Sequence, residues 1–441
     1  MSGILNKTVM LLLSAFTLSL PLVAQNPVPP QAPPAMQMPA GMAMPGMTPT
    51  ANPFLANNGS GTSVEPSSTP EPMLMFTHGP WTFMAHGLAF LTQQEQTGPR
   101  GEDKFFSTNW LMGMAMRSLG PGRLTLRSML SLEPLTITDR RYPELFQTGE
   151  TAFGLPIVDG QHPHNFFMEL AALYDLPIGE HGGLSLYVAP MGDPAIGPTA
   201  FPHRAAAADD PIAPLGHHLE DSTHIAADVV TLGASYGMLR WEGSAFHGRE
   251  PDENRWAIQY GALDSFSTRL TVNPAADWSG QFSLAHIKSP EALNPHEEQL
   301  RMTASLMYNR PLTHGNWANA VIWGRTRDVG GRNIFNGYLL ESDLGFLGRN
   351  HAWTRVENVD KSNELLLGEN PEPSSFVETF LARIQEYSFG YDRDILTTPW
   401  LSPAIGAQWT LYQTPPILTP IYGPHPQGLT VFLRVRLGKE R

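Results

Sequence analysis

Cysteine is absent from the 441 residues. That excludes a disulfide scaffold, a thiolate zinc site and a cysteine nucleophile. Charge is sparse at 16%, and the basic share is the smaller, 28 Lys and Arg against 41 Asp and Glu. A formal charge of −13 argues against a nucleic-acid partner, because phosphate neutralisation needs a basic surface. It suits a surface that attracts cations. Long apolar runs are also missing. Residues 9–24 form one apolar stretch, broken by Ser14, Thr17, Ser19 and Pro21, too short and too interrupted to span a bilayer as a helix. With Lys7 ahead of it and the small Ala24 at its end, residues 1–24 read as a secretory signal peptide.

Turn formers are abundant, with 41 Pro and 40 Gly, as expected of many short connections rather than long helices. Residues 25–72 are rich in Pro, Ala, Met, Ser and Thr and show no periodicity. They read as a disordered periplasmic linker. Met36, Met38, Met42, Met44 and Met47 crowd into one short part of it. Thioethers are soft donors that select Cu(I) over hard cations; the plain alternative is a solvated Pro-Ala-Met spacer.

From residue 73 the chain alternates. The stretch 216–253 sets the pattern: a His- and acid-rich run, a strand at 224–235, the tight Tyr236-Gly237 turn, a strand at 238–246, and a second His- and acid-rich run. In the first strand Ile225, Ala227 and Val229 alternate with His224, Ala226 and Asp228. In the second Leu239, Trp241, Gly243 and Ala245 alternate with Arg240, Glu242 and Ser244. Period-two alternation of this length marks strands with one apolar and one polar face. Similar segments fall at 81–92, 106–117, 123–132, 165–176, 184–189, 265–272, 278–287, 300–308, 317–326, 334–344, 351–359, 376–391, 400–412 and 429–437, making about sixteen with the opening hairpin. Connections after odd-numbered strands are long and those after even-numbered strands short, as an even barrel with both termini in the periplasm requires. Trp81, Trp110, Trp278, Trp317, Trp353 and Trp400 stand near strand ends, where interfacial girdles lie. The fold class is therefore all-β: an antiparallel transmembrane β-barrel over 73–441, in the outer membrane and in contact with its lipid. A soluble sandwich would also alternate. A propeller would repeat every 40 to 50 residues, and no such repeat is present.

Three His and acid clusters fall at the expected outer mouth: Asp159, His162 and His164; His217, His218, Glu220, Asp221 and His224; and His247, Glu250, Asp252 and Glu253. Imidazole with carboxylate suits Zn, Cu(II), Ni or Fe, so His162, His164, His217, His218, His224 and His247 are candidate ligands. The bland reading is a polar loop surface. Glu169, Asp228 and Glu242 are expected to face Arg123, Arg127, Arg240 and Arg301 across the lumen, as a structural network or as selectivity charges. Ser222 beside His224 is a weak hydrolase signal, and no HExxH, Walker-type or dinucleotide fingerprint is present.

The whole-chain pattern resembles Gram-negative outer-membrane β-barrel proteins. The Met-rich segment 36–47 is similar to the periplasmic segment of copper-resistance outer-membrane protein B. That resemblance implies binding or passage of a transition-metal ion such as copper, no required cofactor, no enzymatic activity, and a periplasmic metal-handling partner. A general porin-like diffusion channel and an outer-membrane hydrolase are the alternatives. The last residue, Arg441, is not the terminal aromatic usual in such barrels.

Overall fold

The computed structural model describes residues 54, 59–221, 226–288, 290, 298–331, 333–368 and 370–438, which belong to one compact unit spanning 50–441. The signal peptide, the five linker methionines, Ser222 and His224 lie outside the described residues.

The strands are β1 (Leu74–His78), β2 (Trp81–Gln96), β3 (Lys104–Leu119), β4 (Gly122–Leu130), β5 (Tyr142–Ala152), β6 (Leu155–Gln161), β7 (Phe167–Ile178), β8 (Gly182–Gly192), β9 (Ala226–Tyr236), β10 (Leu239–His247), β11 (Ser265–Ala275), β12 (Trp278–Lys288), β13 (Glu298–Leu312), β14 (Gly315–Asp328), β15 (Ile334–Phe346), β16 (Asn350–Ser362), β17 (Phe380–Asp394), β18 (Leu401–Gln413) and β19 (Gln427–Leu437). Sixteen of them, β2–β4 and β7–β19, form the wall, and each pairs antiparallel with its neighbours. The ring closes between β19 and β2, in register from Gly428↔Gln96 to Leu437↔Gly87. Below Gly87 the short β1 takes over the same edge of β2, from Leu74↔Ala85 to His78↔Trp81. Closure satisfies every wall ladder, which is what lets strands cross a bilayer. Strands β5 and β6 pair only with each other, in the connection between β4 and β7.

Outward positions are apolar. Leu232 and Trp241 are 61% and 58% exposed, and Leu270, Leu284, Leu306, Val321, Leu340 and Ile405 continue the band around the wall. Tyr236, Trp278, Tyr308, Trp317 and Trp400 cluster by the short turns, with Trp278 and Tyr308 in ring contact at 4.6 Å. That is an interfacial girdle. Two tryptophans expected there are inside instead. Trp353 is buried and donates to Gln408 Oε1 at 2.6 Å. Trp110 packs on His203 at 4.3 Å.

The facing of β9 is also opposite to expectation. Val229 is fully buried and pairs with the inward Ala189. Asp228, expected in the lumen, has φ 51° where the β9–β10 register slips between Ala245 and His247. Along the strand Ala227, Val229, Thr231 and Gly233 all face in, in unbroken register with β8. The Asp228 carboxylate consequently accepts from the Gly261 N–H at 2.9 Å in the loop that follows β10.

The lumen is filled by three segments. The segment 193–221, between β8 and β9, crosses to the far wall. There Arg204 pairs with Glu341 of β15 at 2.6 Å, and Glu357 of β16 accepts from the Leu215 and Gly216 N–H groups at 2.9 and 2.8 Å. Its helical turn His217–Glu220 presses against β14 and β15, where a Cβ on Gly324 would stand 2.2 Å from the Leu219 carbonyl oxygen and one on Gly337 would stand 2.6 Å from Glu220 Oε1. The β5–β6 hairpin lies over the same region, joined by Lys361 of β16, which donates to Gln147 at 2.7 Å and to the Leu215 carbonyl at 3.1 Å. The third segment, 59–65, is buried although it falls within the stretch expected to be a linker. Arg127 donates to the Gly59 and Gly61 carbonyls, Arg269 donates to Thr62 at 2.9 Å, and Ser60 accepts from the Ala200 N–H at 3.0 Å. The linker boundary at 72 therefore lies inside the folded unit. Local composition lacked periodicity because this segment pairs through isolated backbone groups with arginines far away in sequence.

Candidate metal centre at the mouth

Long connections bring distant histidines together. His162 ends the β5–β6 hairpin, while His217 and His218 sit on the helical turn of the segment 193–221. One ring nitrogen from each lies within 4.8 Å of the other two. His162 Nε2 is 3.4 Å from His218 Nε2, and the rings of His217 and His218 meet at 4.1 Å. Close packing enforces this placement. Gly149 of β5 has φ 124°, and a Cβ there would stand 2.7 Å from the His218 ring.

Hydrogen bonds fix the ring orientations, and the proton positions follow from them. His162 Nδ1 stands 3.0 Å from the Pro163 carbonyl, and His217 Nδ1 stands 3.0 Å from that of Pro214. A carbonyl only accepts, so an Nδ1–H suits His162; His217 Nδ1 also stands 3.3 Å from the Gln147 amide nitrogen, itself a donor. His162 Nε2 stands 3.4 Å from His218 Nε2 and 3.0 Å from Glu150 Oε1. Burial alone would raise the Glu150 carboxyl, but Arg255 and His162 outweigh it and hold it below the ordinary carboxylate range. Burial, with His162 beside it, pushes the His218 imidazole below its ordinary value, so the ring is neutral near pH 7 and has a lone pair to give. The Gln161 amide, 3.3 Å from His217 Nε2, would turn aside for an ion.

The other sequence candidates go elsewhere. His164 Nδ1 faces Glu133 at 2.9 Å. His247 Nδ1 faces the Ala262 carbonyl at 3.1 Å and Asp264 at 3.7 Å. Asp159 accepts from Arg100 at 3.0 Å and from the Phe146 N–H at 2.8 Å. Asp221 holds Arg204 at 2.5 Å. Glu253 caps the Phe153 and Gly154 N–H groups at 2.8 Å each.

The lumen charges pair along the wall rather than across it. Arg127 meets Glu169 at 2.7 Å, Arg240 meets Glu242 at 3.1 Å, and Arg123 meets Asp175 at 2.9 Å. Arg301 donates to Gln299 at 3.2 Å. Adjacent antiparallel strands put inward side chains side by side, and the filling segments separate opposite walls. A second group, Asp209, Asp343 and His351, is no comparable cation site. Arg434, Arg436 and His351 already converge on Asp209. These residues were not singled out from sequence, because Asp209 is far in the chain from its basic partners.

A closed sixteen-strand antiparallel wall, apolar outside and charged within, defines an outer-membrane β-barrel. No family model matches the chain, and no curated protein matches it. Among solved structures it is similar to the anion-selective porin from Comamonas acidovorans, at TM-score 0.49 and 10% identity over 81% of this chain and 99% of that one. It is also similar to Salmonella typhi OmpF in complex with daunomycin, at TM-score 0.47 and 9% identity over 82% and 100%. A third similar structure is Pseudomonas putida OprB at high pH, at 0.47 and 9% over 81% and 94%.

Proposed function

We propose that this outer-membrane barrel binds a transition-metal ion at its mouth and takes part in its passage. The observation that carries this reading is the meeting of His162, His217 and His218 from two separate loops, with ring nitrogens within 4.8 Å. Three imidazoles with a carboxylate close by suit Zn²⁺, Cu²⁺ or Ni²⁺. Imidazoles ligate through neutral nitrogens, so binding weakens in acid. The resemblance of residues 36–47 to copper-resistance outer-membrane protein B makes copper the first ion to try, with a periplasmic metal-handling protein as partner.

A second reading, a general diffusion channel, draws on the wall itself, since sixteen strands enclose an aqueous channel when nothing fills them. Against it stand the three segments that cross the lumen. Planar-bilayer conductance separates the two: a metal-handling barrel has small, metal-sensitive conductance, and a diffusion channel has large conductance that metal leaves unchanged. The direct test is titration of purified full-length protein with Zn²⁺ and Cu²⁺. His162→Ala with His218→Ala should abolish tight binding, and unchanged binding would exclude this site. The hydrolase alternative rests on Ser222 and His224, which lie outside the described residues. Ester hydrolysis lost in Ser222→Ala would restore it.

A further inference from the structure

The inner half of the lumen has a lining of a different kind. Inward positions of a barrel are ordinarily polar, and those of β3 read Trp110, Met112, Met114, Met116 at every second residue. Cross-strand pairing extends the row. His86 of β2 is the register partner of Met112, Met84 of Met114, and Met129 of β4 of Met112. His86, Met112 and Met129 thus stand side by side on three adjacent strands. The crossing loop brings a fourth donor, His203, onto them.

The donor atoms are close. His86 Nε2 is 3.1 Å from Met112 Sδ, and His203 Nε2 is 2.9 Å from Met129 Sδ. The two imidazoles are 5.6 Å apart, and the Trp110 ring lies 5.1 Å from His86 and 4.3 Å from His203. Methionine inside a folded protein usually fills gaps. Met112 and Met129 do so here, buried against Met168, and a cavity lined by His86, Trp110, Met112, Met114 and His203 opens beside them.

We propose that His86, Met112, Met129 and His203 form a Cu(I) site inside the barrel, on the periplasmic side of the mouth histidines. Two thioethers and two neutral imidazoles are a soft, uncharged donor set, which suits a soft monovalent ion and disfavours hard divalent ones. The ion binds without a change of oxidation state, and both imidazoles coordinate through lone pairs. An Nε2–H donating weakly to sulfur is the alternative account of the two short contacts, and it gives no metal affinity. The proposal deepens the metal-handling reading, yet the two can fail separately: the mouth site is read with Zn²⁺ and this one with Cu(I).

The test uses the full chain with Met36, Met38, Met42, Met44 and Met47 changed to Leu, so that linker thioethers make no contribution. Cu(I) is titrated anaerobically against a chromogenic Cu(I) chelator in detergent. One ion per chain should bind, and X-ray absorption should show both sulfur and nitrogen neighbours. Met112→Leu with Met129→Leu conserves core volume and should weaken Cu(I) binding by roughly a hundredfold, leaving Zn²⁺ binding unchanged. His203→Gln should do the same. A background protein that binds no Cu(I), a shell of nitrogen alone, or a Met-to-Leu pair that binds as tightly as its background would each overturn the proposal. The absorption measurement needs no site variant, so it decides the matter even where a variant fails to form the barrel.

Discussion

The mouth and the inner lumen hold two groups of donors that differ in chemistry and in construction. At the mouth the donors are imidazoles and one carboxylate, all on connections between wall strands. In the inner half they are thioethers and imidazoles, three of the four on wall strands, and Met sulfur has no proton to compete with a metal. Loop-borne sites depend on how loops pack, whereas strand-borne sites depend on register. The two share one element, because the segment 193–221 supplies His217 and His218 to one and His203 to the other.

The largest expected effect comes from breaking that shared element. Arg204 is completely buried between Asp221 and Glu341. Arg204→Ala removes the guanidinium that Asp221 and Glu341 share, leaving Glu341 with Arg355 at 3.2 Å, and loss of one partner of a buried pair costs about 3–5 kcal/mol. Zn²⁺ and Cu(I) binding should both collapse, and single-channel conductance should rise as the loop leaves the lumen. Retention of either site would show that the loop is held by something other than Arg204.

A smaller change should separate the groups. In Gly149→Ala the new Cβ meets the His218 ring at 2.7 Å, and an L-residue at φ 124° is strained by on the order of 1 kcal/mol. Zn²⁺ affinity at the mouth should fall about tenfold, which corresponds to roughly 1.4 kcal/mol, while Cu(I) affinity stays as it was. Equal losses of both ions would mean that the mouth and inner half are coupled more tightly than this comparison allows.

Acidity should act on the inner half through its packing. Burial raises Glu65 and Asp193 from ordinary carboxyl values to about 7. The folded state then holds protons that the unfolded state has released, so stability falls as pH rises from about 4.5 to about 7. Amide exchange across 59–65, corrected for intrinsic base catalysis, should be slower at pH 5 than at pH 8. Faster exchange at pH 5 would contradict the sign.

The smallest effect is expected at His247, whose ring partners are Ala262 and Asp264 rather than the other histidines. His247→Ala should leave Zn²⁺ affinity within about twofold, under 0.5 kcal/mol. A tenfold loss would bring His247 back into the mouth group.

The wall was readable because its rule is local. Each strand alternates at period two, and the alternation in connection length sets the two ends of the barrel; all sixteen wall strands lie where that pattern puts them. The rule failed where it gave the period but not the face, as at β9, and where an aromatic near a strand end turns inward, as at Trp110 and Trp353. Met112, Met114 and Met116 repeat at period two, as do Met84 and His86, but neither row was singled out from sequence. What gave those rows a chemical meaning was absent from either stretch.

Sequence by itself therefore determined the barrel, its strand count and the donors it has to offer. Tertiary structure alone decided that the segment 193–221 runs inward, that His162 meets His217 and His218 while His164 and His247 do not, and that His203 reaches Met129. The physical reason is that side-chain facing follows from the backbone within a few residues. Loop placement instead follows from ion pairs such as Arg204 with Glu341 and from space left by glycines such as Gly324 and Gly337, whose partners are distant in the chain.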